Sequence, residues 1–290
     1  MKVSGFTFVR NAIKFDYPVV ESIRSFLPLC DELVVAVGKS DDATRNLISS
    51  IDSGKIRIID TVWDDTLREG GRVLALETDK AFDNIDPGSD WAFYLQADEV
   101  IHEKYHGIIR KAMEDFLEDR RVEGLLFNYL HFYGSYDFTG DSLNWYRKEV
   151  RIIRNDKMIR SYRDAQGFRK NGQRLQVMPV EAFVYHYGWV KPPASLQAKL
   201  ESFHKLWHDE QWIEHNLPKT DTFDYSSIDS LVKFTGNHPS VMKERIERKN
   251  WQFAFDPTTR KISLKNRFLE VIERMTGWRP GEFRNYKVMR

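Results

Sequence analysis

Apolar residues in the first third of the chain come in short unbroken runs. "VSGFTFV" (3–9), "ELVVAVG" (32–38), "KIRIID" (55–60) and "DWAFYLQ" (90–96) each have the length of one strand, and their continuous apolar character predicts burial on both faces. Between them the apolar positions recur at helical spacing. "YPVVESIRSFLPL" (17–29) predicts a helix with Pro18 in its first turn, where a missing N–H costs little. "ATRNLISSI" (43–51) and "GGRVLALETDKAFDNI" (70–85) predict two more. Alternation of this kind predicts an α/β fold with a mostly parallel central sheet covered by helices on both sides.

After a further predicted helix, "EKYHGIIRKAMEDFLEDR" (103–120), the cadence changes. "VEGLLFNYLHFYG" (122–134), "KEVRIIRN" (148–155) and "VEAFVYHYG" (180–188) predict longer strands joined by polar, glycine-bearing loops. Helical spacing returns in "ASLQAKLESFHKLWHDEQWIEH" (194–215) and "SLKNRFLEVIERM" (263–275). The prolines of "KPP" (191–193) mark the expected boundary, giving a catalytic-type α/β domain over 1–190 and a helical carboxyl-terminal extension over 191–290 packed on it.

Charge and cysteine content narrow the class. Lys and Arg total 44 against 43 Asp and Glu, a formal net charge of +1, so the overall basic signature of a nucleic-acid binder is missing and no nucleic-acid partner is expected. Cys30 is the sole cysteine, which excludes an intramolecular disulfide and a cysteine-based zinc cluster and favours a reducing compartment. The amino-terminal "MKVSGFTFVRNAIKF" is broken by Ser4, Thr7 and Arg10, unlike a signal-peptide core. No window approaches the roughly 18 consecutive apolar residues of a spanning helix. A cytoplasmic protein is expected, in solution or peripheral to the inner face of the membrane.

In open α/β sheets, ligands bind beyond the carboxyl ends of the strands. That rule selects four loops: 9–12, 38–44, 60–72 and 96–99. The fourth ends the strand "FYLQADE", where Asp98 and Glu99 follow a buried run. Oxygen ligands at such a position suit Mg2+ or Mn2+ bridged to substrate phosphates. The same two acids also suit the cap of a following helix.

The order "FVRNA", "VAVGKSDDAT", "GGRVLALETD" and "DWAFYLQADEV" resembles the GT-A domain of glycosyltransferase family 2 over about residues 3–190, most specifically at "GSDWAFYLQADE". The resemblance implies a GT-A fold, a nucleotide-diphosphate sugar donor, a Mn2+ or Mg2+ cofactor, and inverting transfer of a sugar, of hexosyltransferase type, to a glycan or lipid-linked acceptor, as in bacterial surface glycan synthesis. It implies Asp98 as a metal contact and His186, in "VYHYGWV", as a second metal ligand; the alternative for His186 is one more aromatic-like strand residue. Gln96 stands where the family places the first acid of its motif and, like Asp98, is implied as a donor contact; it can hydrogen-bond a ribose hydroxyl or offer a neutral carbonyl oxygen, but supplies no charge and leaves strict metal dependence open. Glu99 would compensate only from the other side of an extended segment.

For the donor nucleotide the resemblance implies Arg10 and Asn11 after the first strand and the acidic loop of Asp41 and Asp42, Asp42 above all, after the second. Gly38 replaces the leading acid of the family's pattern there, and Asp42 with Thr44 equally suits a helix cap. Arg72 is a candidate for the diphosphate or a solvated surface residue. Residues 145–174 hold ten Lys or Arg against three acids, interleaved with Trp145, Tyr146, Tyr162 and Phe168. Such a mixture fits a rim for a departing diphosphate or an anionic acceptor, or a solvated face.

An inverting transfer needs a carboxylate base for the acceptor hydroxyl. Asp164, the sole acid of "RSYRDAQGFRKNGQR", is the candidate, with Asp137 and Asp141 as alternates and a structural ion pair as the competing role. Neither Cys30 nor any G-x-S-x-G segment supports a nucleophilic triad. The last segment, 261–290, is net basic and suits packing on the main domain or contact with anionic lipid headgroups. The expected function is glycosyl transfer. A nucleotidyltransferase of the same fold and a non-catalytic glycan or nucleic-acid binding protein are the rivals.

Overall fold

The computed structural model describes residues 1–216, 220–258 and 260–289; Arg290, the end of the basic carboxyl-terminal segment, lies outside them. The first four predicted strands are present as β1 (Val3–Val9), β2 (Glu32–Gly38), β3 (Ile56–Thr61) and β4 (Trp91–Tyr94), in the order β3-β2-β1-β4 and all parallel. Helices α1 (Val19–Phe26), α2 (Thr44–Ser49) and α3 (Arg72–Asp83) connect them. Alternate residues of each strand feed opposite cores. Leu33, Val35 and Val37 of β2, with Trp91 and Phe93 of β4, pack among α1 residues such as Ile23 and Phe26. Val34 and Ala36, with Ala92 and Tyr94, pack among Val73, Ala81 and Phe82 of α3. Burial on both faces is why β1, β2 and β4 are continuously apolar, whereas β3, at the sheet edge, has no fully buried residue and exposes Arg57 and Asp60, against the expectation from its run.

Asp98 and Glu99 do not cap a helix. Glu99 opens a short strand, β5 (Glu99–Ile101), and only afterwards come a 3-10 turn at Glu103–Tyr105 and helix α4 (His106–Asp115). The cap of that turn is His102, whose ring accepts from the Lys104 N–H. Val100 and Ile101 are fully apolar and buried, so the segment is held as strand rather than released into helix.

The second half of the sheet is mixed. Strands β6 (Gly124–Tyr133), β7 (Phe138–Gly140), β8 (Lys148–Arg154), β9 (Ile159–Tyr162), β10 (Gly167–Lys170) and the long β11 (Gln173–Trp189) extend the order from β4 to β8-β6-β11-β10-β9. β8 runs antiparallel to both β4 and β6, while β6 and β11 are parallel. β5 pairs antiparallel with β11, placing His186 opposite Glu99. That register brings residues almost ninety positions apart to one sheet end.

Residues after Val190 form α5 (Pro193–His204), α6 (Glu210–Asn216), α7 (Lys243–Glu247) and α8 (Leu264–Thr276). They also supply two short strands, β12 (Leu231–Lys233) against β7 and β13 (Tyr286–Val288) beside β11. Aromatic rings fix this segment to the sheet: Phe132, Tyr185 and Tyr187 meet Phe234 and His238, and Tyr133 meets Tyr225 and Phe253. No helix among the described residues is long and apolar enough to cross a membrane.

Candidate active site

A cleft of about 770 Å³ opens at the carboxyl ends of β1, β2 and β4, roofed by α5. Of the residues singled out from sequence, Arg10, Asn11, Gln96, Asp98, Asp164 and His186 line it. The turn at Asn11 has φ 56°, and its side-chain oxygen accepts from the Asp41 N–H at 2.8 Å while its own N–H donates to Ser40 Oγ at 3.0 Å. The first and second strand-end loops are thereby tied together. Arg10 is paired with Asp65 at 2.7 Å and lies over the ring of Trp63.

Asp42 and Arg72 are placed elsewhere. Asp42 accepts from the N–H groups of Lys14 and Thr44 and from the Thr44 hydroxyl, so it serves the turn before α2, and Asp41 faces the cleft instead. Burial pushes the Asp42 carboxyl up, but those hydrogen bonds outweigh it and hold it below its ordinary value. Arg72 is exposed at the start of α3 and lines a separate shallow hollow with Glu69, Asp79 and Arg163. Arg68 is the arginine of that loop that reaches the cleft, where it is paired with Glu210 at 2.9 Å.

Gly38, the departure from the acidic pattern, has a local cause. A Cβ at this position would lie 2.4 Å from Nε1 of Trp63, so the indole occupies the space of any side chain there. Trp63 lines the cleft, packs on Phe8 at 5.8 Å between centroids, and keeps a buried Nε1–H without a partner among the described residues. The wall is aromatic, with one donor still to be satisfied.

Asp98 and His186 meet at the centre. Asp98 is 6% exposed, its backbone carbonyl accepts from the Tyr187 N–H at 2.8 Å, and its Oδ2 lies 3.8 Å from His186 Nε2. The histidine's tautomer follows from its neighbours. The Tyr146 carbonyl can only accept, so His131 Nε2, at 2.7 Å from it, carries a proton. A neutral His131 then offers a bare Nδ1, which accepts from His186 Nδ1 at 3.0 Å. His186 Nε2 is left as a lone pair aimed toward Asp98. Burial supports two neutral rings: it pushes His131 down to about 3, with His186 adding to the effect, and it lowers His186 against the opposing pull of Asp98.

A cation of the chain's own also serves Asp98. Lys199 of α5 donates to Asp98 Oδ2 at 3.0 Å and to the Gly188 carbonyl at 3.1 Å, above the ring of Tyr17. Lys191, fully buried, donates to the Phe15 carbonyl at 2.8 Å and lies 4.4 Å from the centroid of the same ring. Burial alone would raise the Asp98 carboxyl, but the Lys199 ammonium, by its charge and its hydrogen bond, holds it well below the usual carboxylate range. Burial and the neighbouring Lys199 drive Lys191 the other way, far below an ordinary lysine.

Asp98 and His186 fit a divalent ion: one hard oxygen and one bare imidazole nitrogen converge beside Gly188, where a Cβ would lie 2.5 Å from His186 Nε2 and 2.8 Å from Asp98 Oδ2. The described residues contain no cluster of three or more His, Cys, Asp or Glu that would hold a metal by itself. Two protein ligands are nevertheless the usual complement where substrate phosphates and water fill the remaining positions. Glu99 does not join them. It is fully buried on the other side, where Arg151 grips both its oxygens at 2.8 Å and Tyr129 donates to it at 2.8 Å.

Asp164 faces the cleft from a strained turn, between Arg163 at φ 56° and Ala165 at φ 61°. It packs against Gly71, where a Cβ would come within 2.7 Å of the Asp164 Cβ. Burial raises its carboxyl above the ordinary value, against backbone N–H groups and Arg163. Gln96 supports the turn from below, its Nε2 donating to the Ala165 carbonyl at 3.2 Å. The alternates lie outside the cleft: Asp137 accepts from Ser135 Oγ at 3.0 Å, and Asp141 lies 3.6 Å from Arg260. Cys30 is buried, and burial pushes its thiol up.

Sequence reading overlooked Lys199, His131 and Arg151. Each carries a signal of the same kind: a basic residue inside an apolar pattern, as in "LQAKLESF", "NYLHFYG" and "EVRIIRN".

No protein-family model matches the chain, and no curated protein sequence matches it. Among solved structures, Staphylococcus aureus TarS shares 13% identity at a TM-score of 0.40, covering 70% of this chain and 39% of its own. TarS 1–349 in complex with UDP shares 15% at 0.40, covering 70% and 64%. The 4-diphosphocytidyl-2C-methyl-D-erythritol synthase of Anaerococcus prevotii shares 11% at 0.41, covering 70% and 94%. This chain therefore spans less than two thirds of the length of the TarS chains it resembles.

Proposed function

We propose that the protein is a glycosyltransferase of GT-A type that moves a sugar, a hexose by the sequence resemblance, from a nucleotide-diphosphate donor to an acceptor hydroxyl with inversion. One observation carries the reading: the bare Nε2 of His186 and the Asp98 carboxylate converge, 3.8 Å apart, in a cleft at the carboxyl ends of the parallel strands. The nucleotide lies along Arg10, Asn11 and Asp41 with its base against the ring of Trp63. Gln96 borders the same pocket. Its amide is engaged with Ala165, so it positions the Asp164 turn as well as the donor.

Asp98 and His186 would hold Mn2+ or Mg2+ against the diphosphate, and such an ion supplies neutralisation of the leaving charge. Lys199 acts on the same oxygens from the roof, as an ammonium already oriented by Asp98 and the Gly188 carbonyl. Asp164 accepts the proton of the acceptor hydroxyl as its oxygen bonds to the anomeric carbon. The bond from that carbon to the diphosphate oxygen breaks, and the electron pair leaves with the nucleoside diphosphate. A raised carboxyl is suited to this work, since its basicity is closer to that of the proton donor. The acceptor class is a glycan or a lipid-linked saccharide.

Calorimetry with UDP, GDP and their sugars, with and without Mn2+, tests the reading, together with product analysis. Donor binding that weakens in Asp98→Ala, and nucleoside diphosphate released by the wild type but not by Asp164→Asn, are expected. Release of pyrophosphate from a nucleoside triphosphate would establish a nucleotidyltransferase instead. Binding of no nucleotide under any of these conditions would sink both enzyme readings.

A further inference from the structure

Helix α8 wears its amphipathic faces the wrong way round for a globular protein. Leu264, Phe268, Val271 and Met275 recur at helical spacing and form one stripe, yet Leu264, Phe268 and Met275 are 83%, 66% and 81% exposed and Val271 is also exposed. Trp278, just past the left-handed Gly277 that ends the helix, extends the stripe and is exposed too. The polar side is the one docked on the protein. Glu273 is paired with Arg147 at 2.7 Å and with Arg279 at 2.8 Å, and Glu270 with Arg260 at 3.1 Å. Leu269 and Ile272 are half-buried beneath them.

Those ion pairs consume both acids of the helix and turn them inward. Exposed basic residues remain on the flanks of the apolar stripe: Lys265 on one side, Arg267 and Arg274 on the other. A contiguous apolar strip bordered by charge of one sign is not the surface of a freely soluble monomer. From this pattern we infer that α8 is an interfacial helix that seats the protein on a membrane surface rich in anionic lipid.

The charge pattern chooses the occupant. Leu264, Phe268, Met275 and Trp278 enter the boundary between headgroups and acyl chains, while Lys265, Arg267 and Arg274 meet lipid phosphates. A second copy of the chain would set the same cations against one another across a twofold axis, with no exposed acid on the helix to compensate. The anchoring is rigid where it matters. Arg279 also donates to the Trp145 carbonyl at 2.7 Å, and Arg147 adjoins Tyr146, which lines the cleft. Seating α8 therefore fixes the cleft's position relative to the membrane, whatever reaction the cleft performs.

Co-flotation of the full chain with phosphatidylcholine vesicles, and with the same vesicles containing phosphatidylglycerol, tests this directly. Binding to the anionic vesicles alone is expected. It should disappear in Phe268→Glu/Met275→Glu and fall roughly fivefold for each of Lys265, Arg267 and Arg274 replaced by Gln. All five side chains are exposed, so circular dichroism and melting temperature should match the wild type and separate lost binding from lost folding. Failure to float with anionic vesicles, or equal flotation of the Phe268→Glu/Met275→Glu variant, would overturn the inference. So would a concentration-dependent dimer, seen by sedimentation velocity, that the same two substitutions dissociate.

Discussion

Arg151→Met should destabilise the fold strongly, because it breaks a buried ion pair at the edge of the cleft. Arg151 and Glu99 are 1% and 0% exposed in their side chains, and the guanidinium Nε and Nη2 each donate to a carboxylate oxygen at 2.8 Å. Two further donors, Tyr129 Oη at 2.8 Å and Gln96 N at 3.1 Å, complete the carboxylate's shell. Arg151 Nη1 spends its protons on the carbonyls of Val150 and Gln166. Methionine fills much of the arginine's volume but leaves the carboxylate without a cation in a place water does not reach. Removing one partner of a buried pair costs about 3–5 kcal/mol, and that loss is expected in urea unfolding. The slope with urea should stay unchanged, showing that the loss is one of native stability. Glu99→Gln added to Arg151→Met removes the charge while keeping an oxygen for Tyr129 or Gln96. The double variant should therefore recover to within about 2 kcal/mol of the wild type, a coupling of the size seen for residues in one network. A loss below ~1 kcal/mol for Arg151→Met, or a double variant as unstable as the two singles summed, would refute the account.

Two other expectations follow from buried charge. Glu149 has an oxygen without a partner among the described residues, and burial pushes its carboxyl up to about 8 against the pull of Arg151. The native state then holds a proton that the unfolded chain releases near 4.5, so stability falls as pH rises through that window. Glu149→Gln should flatten the fall, gaining up to roughly 5 kcal/mol above pH 8 at ~1.4 kcal/mol per pH unit, and a stability–pH slope equal to the wild type's would exclude this role. Lys199→Met removes the ammonium that shares Asp98 Oδ2 with any ion bound there. Because a hydrogen bond to a charged group contributes about 1.5–3 kcal/mol, Mn2+ should bind at least roughly tenfold more tightly to the variant, while UDP binding without Mn2+ weakens. Calorimetry showing unchanged or weaker Mn2+ binding would remove Lys199 as its competitor.

The parts of this molecule that could be read from sequence are those governed by local period. β1, β2, β3 and the helices between them follow from apolar runs and 3.6-residue spacing, because each such element is defined by its own residues. The cleft's position followed from a topological rule applied to those elements, and Asp98 lies in it for that reason. What local patterns cannot carry is pairing. Glu99 resembled a helix cap because acids favour helix starts, and nothing near it announces Arg151, 52 positions away, or the β11 register that sets it opposite His186. The orientation of His186 likewise depends on His131 and on a carbonyl at Tyr146, and Asp42 is held in the turn before α2 by hydrogen bonds from Lys14 and Thr44, leaving Asp41 to face the cleft.

Gln96 shows how such pairing turns a departure from pattern into a requirement. Its Nε2–H reaches the carbonyl of Ala165, inside a turn whose flanking residues adopt positive φ and which holds Asp164 toward the cleft. A carboxylate at this position has no proton to donate, and would set a negative charge against that carbonyl oxygen and beside Asp98 and Asp164. The neutral amide removes one anion from a site already carrying two, and it fixes the turn that presents one of them. The acid expected at position 96 is missing because the chain uses the position to build the Asp164 turn, and Lys199 makes up part of the cationic balance from the roof.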